Sequence, residues 1–337
     1  MKPKKKHKKR IISISLIIVG LLLAVFIVLC NFLVSACLVP SFMEKLDAFE
    51  EVTEQSYGAQ IKTNAISENH KAMWADTNEW LTKVKEDQSF KKYAIYTDDG
   101  YKLVGIEFLP ENEIPHKYAL VLHGYTGWKE EMYPYAKHYV EEGYKVFVPD
   151  MRCSGQSEGD FIGMGYTDSR DCLKWINYMI QEDPEAEIII HGQSMGASTA
   201  LMMSGLSELP SNVCAIVSDA AYTDAYSMFG DKITEWFSLP PFPLVDGSCL
   251  MLRLRGGYDL KKADALSAVK SSNTPILFIH GDKDAMIPVS MCYELYEAAA
   301  SPKEIYIVKG VGHAQTVDKD PEEFWSKIDE FLISAQP

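Results

Sequence analysis

The sequence predicts an α/β fold: a mostly parallel, eight-stranded sheet with helices on both faces and a small helical cap. Three observations predict it. From residue 93 onward, short apolar runs alternate with helix-forming segments, as happens when each strand returns to a parallel neighbour through a crossover helix. The inner runs, such as 118–122 and 187–191, lack the period-two alternation of a half-exposed strand, so both their faces are covered. One hairpin signal, Asp98-Asp99-Gly100 between the runs 93–96 and 101–108, places an antiparallel pair at the start.

The chain opens with a different kind of segment. Residues 2–10 hold seven Lys or Arg, and Ile11 to Leu33 follows without a single charge. At 1.5 Å per residue this run, with a few flanking residues, crosses a hydrocarbon layer of ~30 Å. The basic block stays on the cytoplasmic side, so the rest of the chain is expected outside the membrane. The expected organisation is a basic cytoplasmic tail over 1–10, a transmembrane signal-anchor over 11–37, a polar helical stalk over 38–90 that packs partly on the body, and a catalytic domain over 91–337. Two alternatives stay open. Val34-Ser35-Ala36-Cys37 resembles a lipobox, which would lipidate Cys37, and a cleaved secretory signal has a similar but shorter apolar core.

Charge follows the same division. The formal net is −14, and setting aside the seven positive charges of the tail leaves −21 on the remainder. So acidic a body would repel nucleic acid, which excludes that class of partner. Beside an apolar span, the basic tail suits anionic lipid instead. The seven cysteines have irregular spacing and no C-x-x-C pair, so neither a disulfide framework nor a zinc site is indicated, and no metal or cofactor is expected.

Within the body, strands are expected at 93–96, 101–108, 118–122, 145–149, 187–191, 213–217, 275–280 and 304–308. Helices are expected at 129–142, 166–181, 197–206, 288–299 and 321–333. Between Asp219 and Thr274 no strand signal appears. This insertion, about 220–273, is expected to form the cap, and it is rich in aromatic residues and methionine. Met228, Phe229 and Trp236 are the candidates for lining an acyl pocket, against the plainer reading that they pack the cap onto the sheet. Arg253 and Arg255 read as solvated surface.

The chemistry centres on Gly192-Gln193-Ser194-Met195-Gly196. A β-branched strand feeds into it and a run of small residues leaves it. Strand, G-x-S-x-G, helix is the nucleophile elbow, which lifts the serine to the carboxyl edge of a sheet at a helix N-terminus. A serine needs a base, and the base needs an orienting acid. In this architecture the acid follows a late strand and the base follows the last one. His280-Gly281-Asp282-Lys283-Asp284 offers two acids. Asp284, beyond the turn, is the candidate, Asp282 shapes the turn, and Asp219 is the fallback. His313, after Gly310-Val311-Gly312, is the candidate base. His123, His191 and His280 adjoin glycines at strand ends and read as hydrogen-bonded structural residues, and His138 as a solvated helix residue. The backbone N–H groups of Met195 and Tyr125 are the candidates for an oxyanion hole.

Together with Asp150-Met151-Arg152-Cys153-Ser154-Gly155-Gln156-Ser157, these motifs resemble those of the α/β hydrolases, specifically the Bem46-like, esterase-like serine hydrolases. The resemblance covers about residues 90–335. It implies the α/β-hydrolase fold, a Ser194–His313–Asp284 triad, a structural Asp-x-Arg loop in which Arg152 pairs a carboxylate, and a small-molecule or lipid-like acyl ester as substrate. Ala197 stands where many relatives have a second glycine, and Gln193 where prolyl peptidases have an aromatic. Both departures disfavour a peptidase. A serine peptidase or acyltransferase with the same residues, and a non-catalytic membrane-tethered binding protein on this scaffold, remain as alternatives.

Overall fold

The computed structural model describes residues 4–50 and 68–335, so the part of the expected stalk over 51–67 lies outside the described residues. The strands are β1 (Phe90–Tyr96), β2 (Lys102–Phe108), β3 (Lys117–Leu122), β4 (Lys145–Pro149), β5 (Glu187–Gln193), β6 (Val213–Asp219), β7 (Ile276–Gly281) and β8 (Lys303–Val308). The helices are α1 (Lys4–Leu38), α2 (Pro40–Glu50), α3 (Glu68–Glu86), α4 (Tyr133–Glu141), α5 (Tyr166–Glu182), α6 (Met195–Ser204), α7 (Ala225–Phe237), α8 (Pro241–Gly256), α9 (Ala265–Val269), α10 (Val289–Ala298), α11 (Thr316–Lys319) and α12 (Pro321–Ser334).

The strands form one sheet in the order β1-β2-β4-β3-β5-β6-β7-β8. β1, β2 and β4 pair antiparallel, and every pair from β4–β3 to β7–β8 is parallel. This is the α/β-hydrolase arrangement that the motifs implied. From β3 the chain steps first to β4 on one side and later to β5 on the other. The carboxyl ends of β3 and β5 therefore send their loops apart, and the crevice between such loops is where open α/β sheets place their chemistry.

Burial explains why the inner strands read as continuous apolar runs. Two apolar clusters cover the two faces of the sheet: Leu120, Leu122, Ile188, Ile190 and Phe278 belong to one, Ala119, Val121, Ile189, Val217 and Ile279 to the other. All six residues of β7 are buried. Helix α3 lies against the domain through buried Thr77 and Val84, with the Trp80 ring 4.8 Å from that of Phe108. The Asp-x-Arg loop is held by charge. The Arg152 guanidinium grips Asp171 through Nε at 2.8 Å and Asp99 at 2.5 and 2.9 Å, and this fork holds the Asp99 carboxyl down at about 2. Gly155, at φ +52°, passes so close to Asp150 that a Cβ there would lie 2.3 Å from its carboxyl group.

The insertion after β6 is helical throughout, as α7, α8 and α9 with a short 3-10 turn between, and an antiparallel bridge of Asp224 with Asp264 closes its base. Helix α1 contains a 30-residue stretch, Lys9–Leu38, long and apolar enough to cross a membrane. Its character changes along its length. From Ile11 to Leu29 its large apolar side chains are exposed, Phe26 excepted, whereas Cys30, Val34 and Leu38 are buried against the domain. The expected span 11–37 lies within this stretch, and its last turns pack on α8 and on the loop after β3.

Candidate active site

Ser194 sits between β5 and α6 at φ +55°, ψ −116°, a backbone conformation that side chains other than glycine rarely adopt. The flanking glycines are steric necessities. A Cβ on Gly192 would fall 2.2 Å from the carbonyl oxygen of Gly196, and one on Gly196 would fall 2.3 Å from that of Leu122. The strand edge further fixes the turn, with the Ser194 N–H donating to the Asp219 carbonyl at 2.7 Å. The result is a serine only 7% exposed, its hydroxyl directed away from the sheet and toward the loops that follow β7 and β8.

The structure brings the three predicted side chains together. The Ser194 hydroxyl donates to His313 Nε2 at 2.9 Å, and His313 Nδ1–H donates to Asp284 Oδ2 at 2.7 Å. Asp284 in turn is fixed by two backbone N–H groups, from Met286 and Ile287, both donating to Oδ1 at 2.8 Å. Its loop and that of His313 are knitted together. The Lys283 N–H reaches the Val311 carbonyl at 2.9 Å, and the Gly310 N–H reaches Asp282 Oδ1 at 2.6 Å, so Asp282 shapes the turn as its position suggested.

One contact was not anticipated. His280 reaches the same carboxylate, with Nε2 at 3.2 Å from Asp284 Oδ2 and at 2.9 Å from the Ile287 carbonyl. Burial is the largest single influence and works against a charged imidazole here, but the hydrogen bonds to Asp284, Cys292 and the Ile287 backbone together outweigh it and push the His280 pKa up to about 10. Burial alone would raise the carboxyl of Asp284, yet the bonds from His280 and His313 hold it well below the ordinary carboxylate range. The i, i+4 spacing of His280 and Asp284 across a Gly-containing turn was the available signal.

The remaining candidates take other roles. Asp219 is fully buried at the end of β6 and accepts the Thr316 hydroxyl at 2.6 Å, with no bond to His313. Burial pushes its carboxyl up to about 6. His123 donates from Nδ1 to the Gly124 carbonyl at 2.8 Å and accepts the Met151 N–H at Nε2 at 2.9 Å, which locks the start of the loop after β3 to the Asp-x-Arg loop. His191 bonds the Tyr139 hydroxyl at 2.9 Å, and burial drives its pKa down to about 3. His138, expected to be solvated, instead stacks on Trp325 at 3.8 Å and pairs Asp329 at 3.1 Å, because α4 and α12 lie side by side. Arg253 and Arg255 are exposed, as expected, yet Arg253 pairs Asp259 at 2.8 Å and Arg255 donates to the Asn31 carbonyl of α1 at 3.1 Å.

Gly124 lies directly beside the serine, and a Cβ there would sit 3.4 Å from Ser194 Cβ. Tyr125 follows it, and Met195 opens α6. Neither backbone N–H finds an acceptor among the described residues, so both are free to meet an anionic oxygen. The Tyr125 hydroxyl donates to the carbonyl of Cys37, near the end of α1. Met228 and Phe229, half-buried on α7, pack on the same apolar cluster as Tyr125 and Met286. Trp236 lies in α7, with its side chain outside the described residues. Lys232 ties α7 to the acid loop by donating to the Ala285 carbonyl at 2.8 Å. Chemically, the arrangement can move a proton from an alcohol to an imidazole backed by a carboxylate, beside two N–H donors.

The model of the Prolyl oligopeptidase family (Peptidase_S9) matches residues 131–334. The uncharacterized protein YqkD of Bacillus subtilis is 29% identical over 241 residues, covering 71% of this chain and 78% of that one. The uncharacterized membrane protein YNL320W of Saccharomyces cerevisiae is 25% identical over 198 residues, 58% of this chain and 63% of that one. Among solved structures, the esterase Pf2001 of Pyrococcus furiosus superposes with a TM-score of 0.59 at 24% identity, covering 73% of this chain and 92% of the esterase. Est1E of Butyrivibrio proteoclasticus, with ferulic acid bound, superposes with a TM-score of 0.57 at 18% identity, over 72% and 98%. At these identities the two superpositions speak to the fold.

Proposed function

We propose that this chain, which belongs to the prolyl oligopeptidase family of α/β-fold serine hydrolases, cleaves carboxylic esters outside the cytoplasmic membrane through an acyl-enzyme, anchored by α1. The observation that carries the reading is the unbroken chain of hydrogen bonds from Ser194 to His313 to Asp284. In this reading His313 takes the hydroxyl proton as Ser194 Oγ attacks the acyl carbonyl. Asp284 holds the imidazole with Nδ1 protonated, so that Nε2 is the basic nitrogen. The N–H groups of Tyr125 and Met195 hold the oxyanion. His313 then protonates the departing alcohol, and a water activated by the same nitrogen releases the acid. Met228 and Phe229 on α7 supply the apolar wall for the acyl chain.

A fluorophosphonate probe tests this directly: the wild-type chain should be labelled and Ser194→Ala should not. A folded wild-type protein that resists the probe would refute the reading. A second reading, a serine peptidase, is favoured by the family match itself, while Gln193 and Ala197 at the elbow weigh against it. A panel of p-nitrophenyl esters against aminoacyl-proline anilides separates the two. Turnover of the anilides alone would assign the peptidase.

A further inference from the structure

Tyr96, Ile114, Trp128, Tyr293 and Ile333 are exposed singly on the body, but the other exposed large apolar side chains among the described residues are grouped. Apart from the outward length of α1, a group of them falls on the cap: Leu239, Phe242 (71% exposed), Leu250 and Leu254 (72% exposed). These residues lie on or next to α8, the helix that packs against α1. A Cβ on Gly247 would touch Phe26 and Cys30 of α1, Asn31 Nδ2 lies 3.1 Å from the Met251 sulfur, and Arg255 donates to the Asn31 carbonyl. Residues 247, 251 and 255 thus form the α1-facing stripe of α8. At 100° per residue, Leu250 and Leu254 each lie about 60° from the stripe residue three before and about 100° from the one that follows, so they border the stripe on one side. They continue the apolar surface of α1 rather than facing away from it.

The level at which this occurs is set by α1. Its exposed apolar length runs from Ile11 to Leu29, about 28 Å of helix, close to the thickness of a hydrocarbon layer. Burial against the domain begins at Cys30. Helix α8 therefore crosses α1 where the hydrocarbon ends. Arg253 and Arg255, on either side of Leu254, stand at the height where anionic headgroups would meet them. Cys37, whose carbonyl holds the Tyr125 hydroxyl, is seven residues further on, about 10 Å along the helix axis. The headgroup layer itself is roughly 5–7 Å deep. The candidate oxyanion loop thus stands only a few ångströms above the lipid surface.

We infer that the cap is an interfacial element: α8 rests on the outer leaflet through Leu239, Phe242, Leu250 and Leu254, and the site takes amphiphilic acyl esters directly from that leaflet. The second part rests on the serine-hydrolase reading above. The first does not. Lipid is the occupant because the patch is continuous with the exposed face of α1 and is flanked by two arginines, an arrangement suited to a leaflet and not to a freely diffusing partner.

The test uses the full chain in nanodiscs of phosphatidylcholine and phosphatidylglycerol. A photoreactive benzophenone amino acid in place of Leu254 or Leu250 should crosslink to alkyne-tagged phosphatidylcholine, while the same group in place of Lys327, exposed on α12, should not. Crosslinks to a second copy of the chain, or no lipid adduct at Leu254, would overturn the docking surface whatever the enzyme does. The double variant Leu250→Glu, Leu254→Glu should hydrolyse a long-chain ester embedded in vesicles at least tenfold more slowly, with soluble p-nitrophenyl acetate changed less than twofold. Equal loss on both substrates, or on neither, would overturn uptake from the leaflet. Fluorophosphonate labelling of Ser194 in the same samples reports separately on the hydrolase reading.

Discussion

Replacing Asp284 by asparagine should damage this site far more than the near-identity of the two side chains suggests, and the structure says why. Asp284 Oδ1 accepts two backbone N–H groups at 2.8 Å, from Met286 and Ile287. An asparagine must keep its carbonyl oxygen there, because turning the amide over would point its NH2 at two donors. The NH2 is then forced to the Oδ2 position, 2.7 Å from His313 Nδ1. It donates where the carboxylate accepted, so His313 must carry its proton on Nε2, and that nitrogen no longer accepts the Ser194 proton at 2.9 Å. Loss of the correct tautomer in a Ser-His-Asp arrangement costs a factor of about 10⁴ in kcat, equivalent to about 5.4 kcal/mol of barrier. Steady-state hydrolysis of p-nitrophenyl acetate should show that drop with KM nearly unchanged, and fluorophosphonate labelling should slow in parallel. A folded Asp284→Asn variant within tenfold of wild type would refute the assignment of Asp284 as the partner of His313.

Three further outcomes are expected. Gly196→Ala places a methyl group 2.3 Å from the Leu122 carbonyl and 2.6 Å from that of His123, so it should lose about 3 kcal/mol in urea unfolding or fail to fold, whereas Gly257→Ala, where the space is open, should lose about 1. The Asp219 carboxyl stands at about 6 in the folded chain against an ordinary 3.8, so the unfolded chain gives up this proton first and the folded state loses stability as pH rises from 4 to 6. Asp219→Asn removes that loss: its stability relative to wild type should rise by about 2 kcal/mol between pH 4 and 7, and a pH-independent difference would contradict the buried acid. Tyr125→Phe removes the hydroxyl that holds the loop after β3 to Cys37, a bond worth about 1 kcal/mol. kcat on a soluble ester should fall about fivefold with little change in KM, and an unchanged kcat would show that the contact does not steady the loop.

How much of this could be read from the chain differs from element to element. The inner strands were legible because both faces of the sheet are covered, so 118–122, 188–190 and 276–279 are written as unbroken apolar runs bounded by polar or turn residues. The elbow was legible because its two close approaches admit only glycine. The order serine, acid, base was legible because loops at the carboxyl ends of successive strands appear in sequence order. The cap helices were harder: Pro240, Pro241 and Pro243 interrupt the pattern, and the apolar residues of α8 divide between the core, α1 and solvent, which leaves little periodicity. Contacts made only by tertiary packing left no trace at all. Nothing near His138 announces Trp325, and in the run 30–38 the buried Cys30, Val34 and Leu38 are no more apolar than the exposed Phe32.

The bond from the Tyr125 hydroxyl to the Cys37 carbonyl has a practical corollary. The final turns of α1 are not a tether that could be cut away to free a self-sufficient catalyst; they are masonry in the wall of its reaction chamber. A fragment trimmed for solubility at about residue 40 would leave the phenol ring of residue 125 facing water. It would measure the reactivity of a breached room rather than of the intact chain.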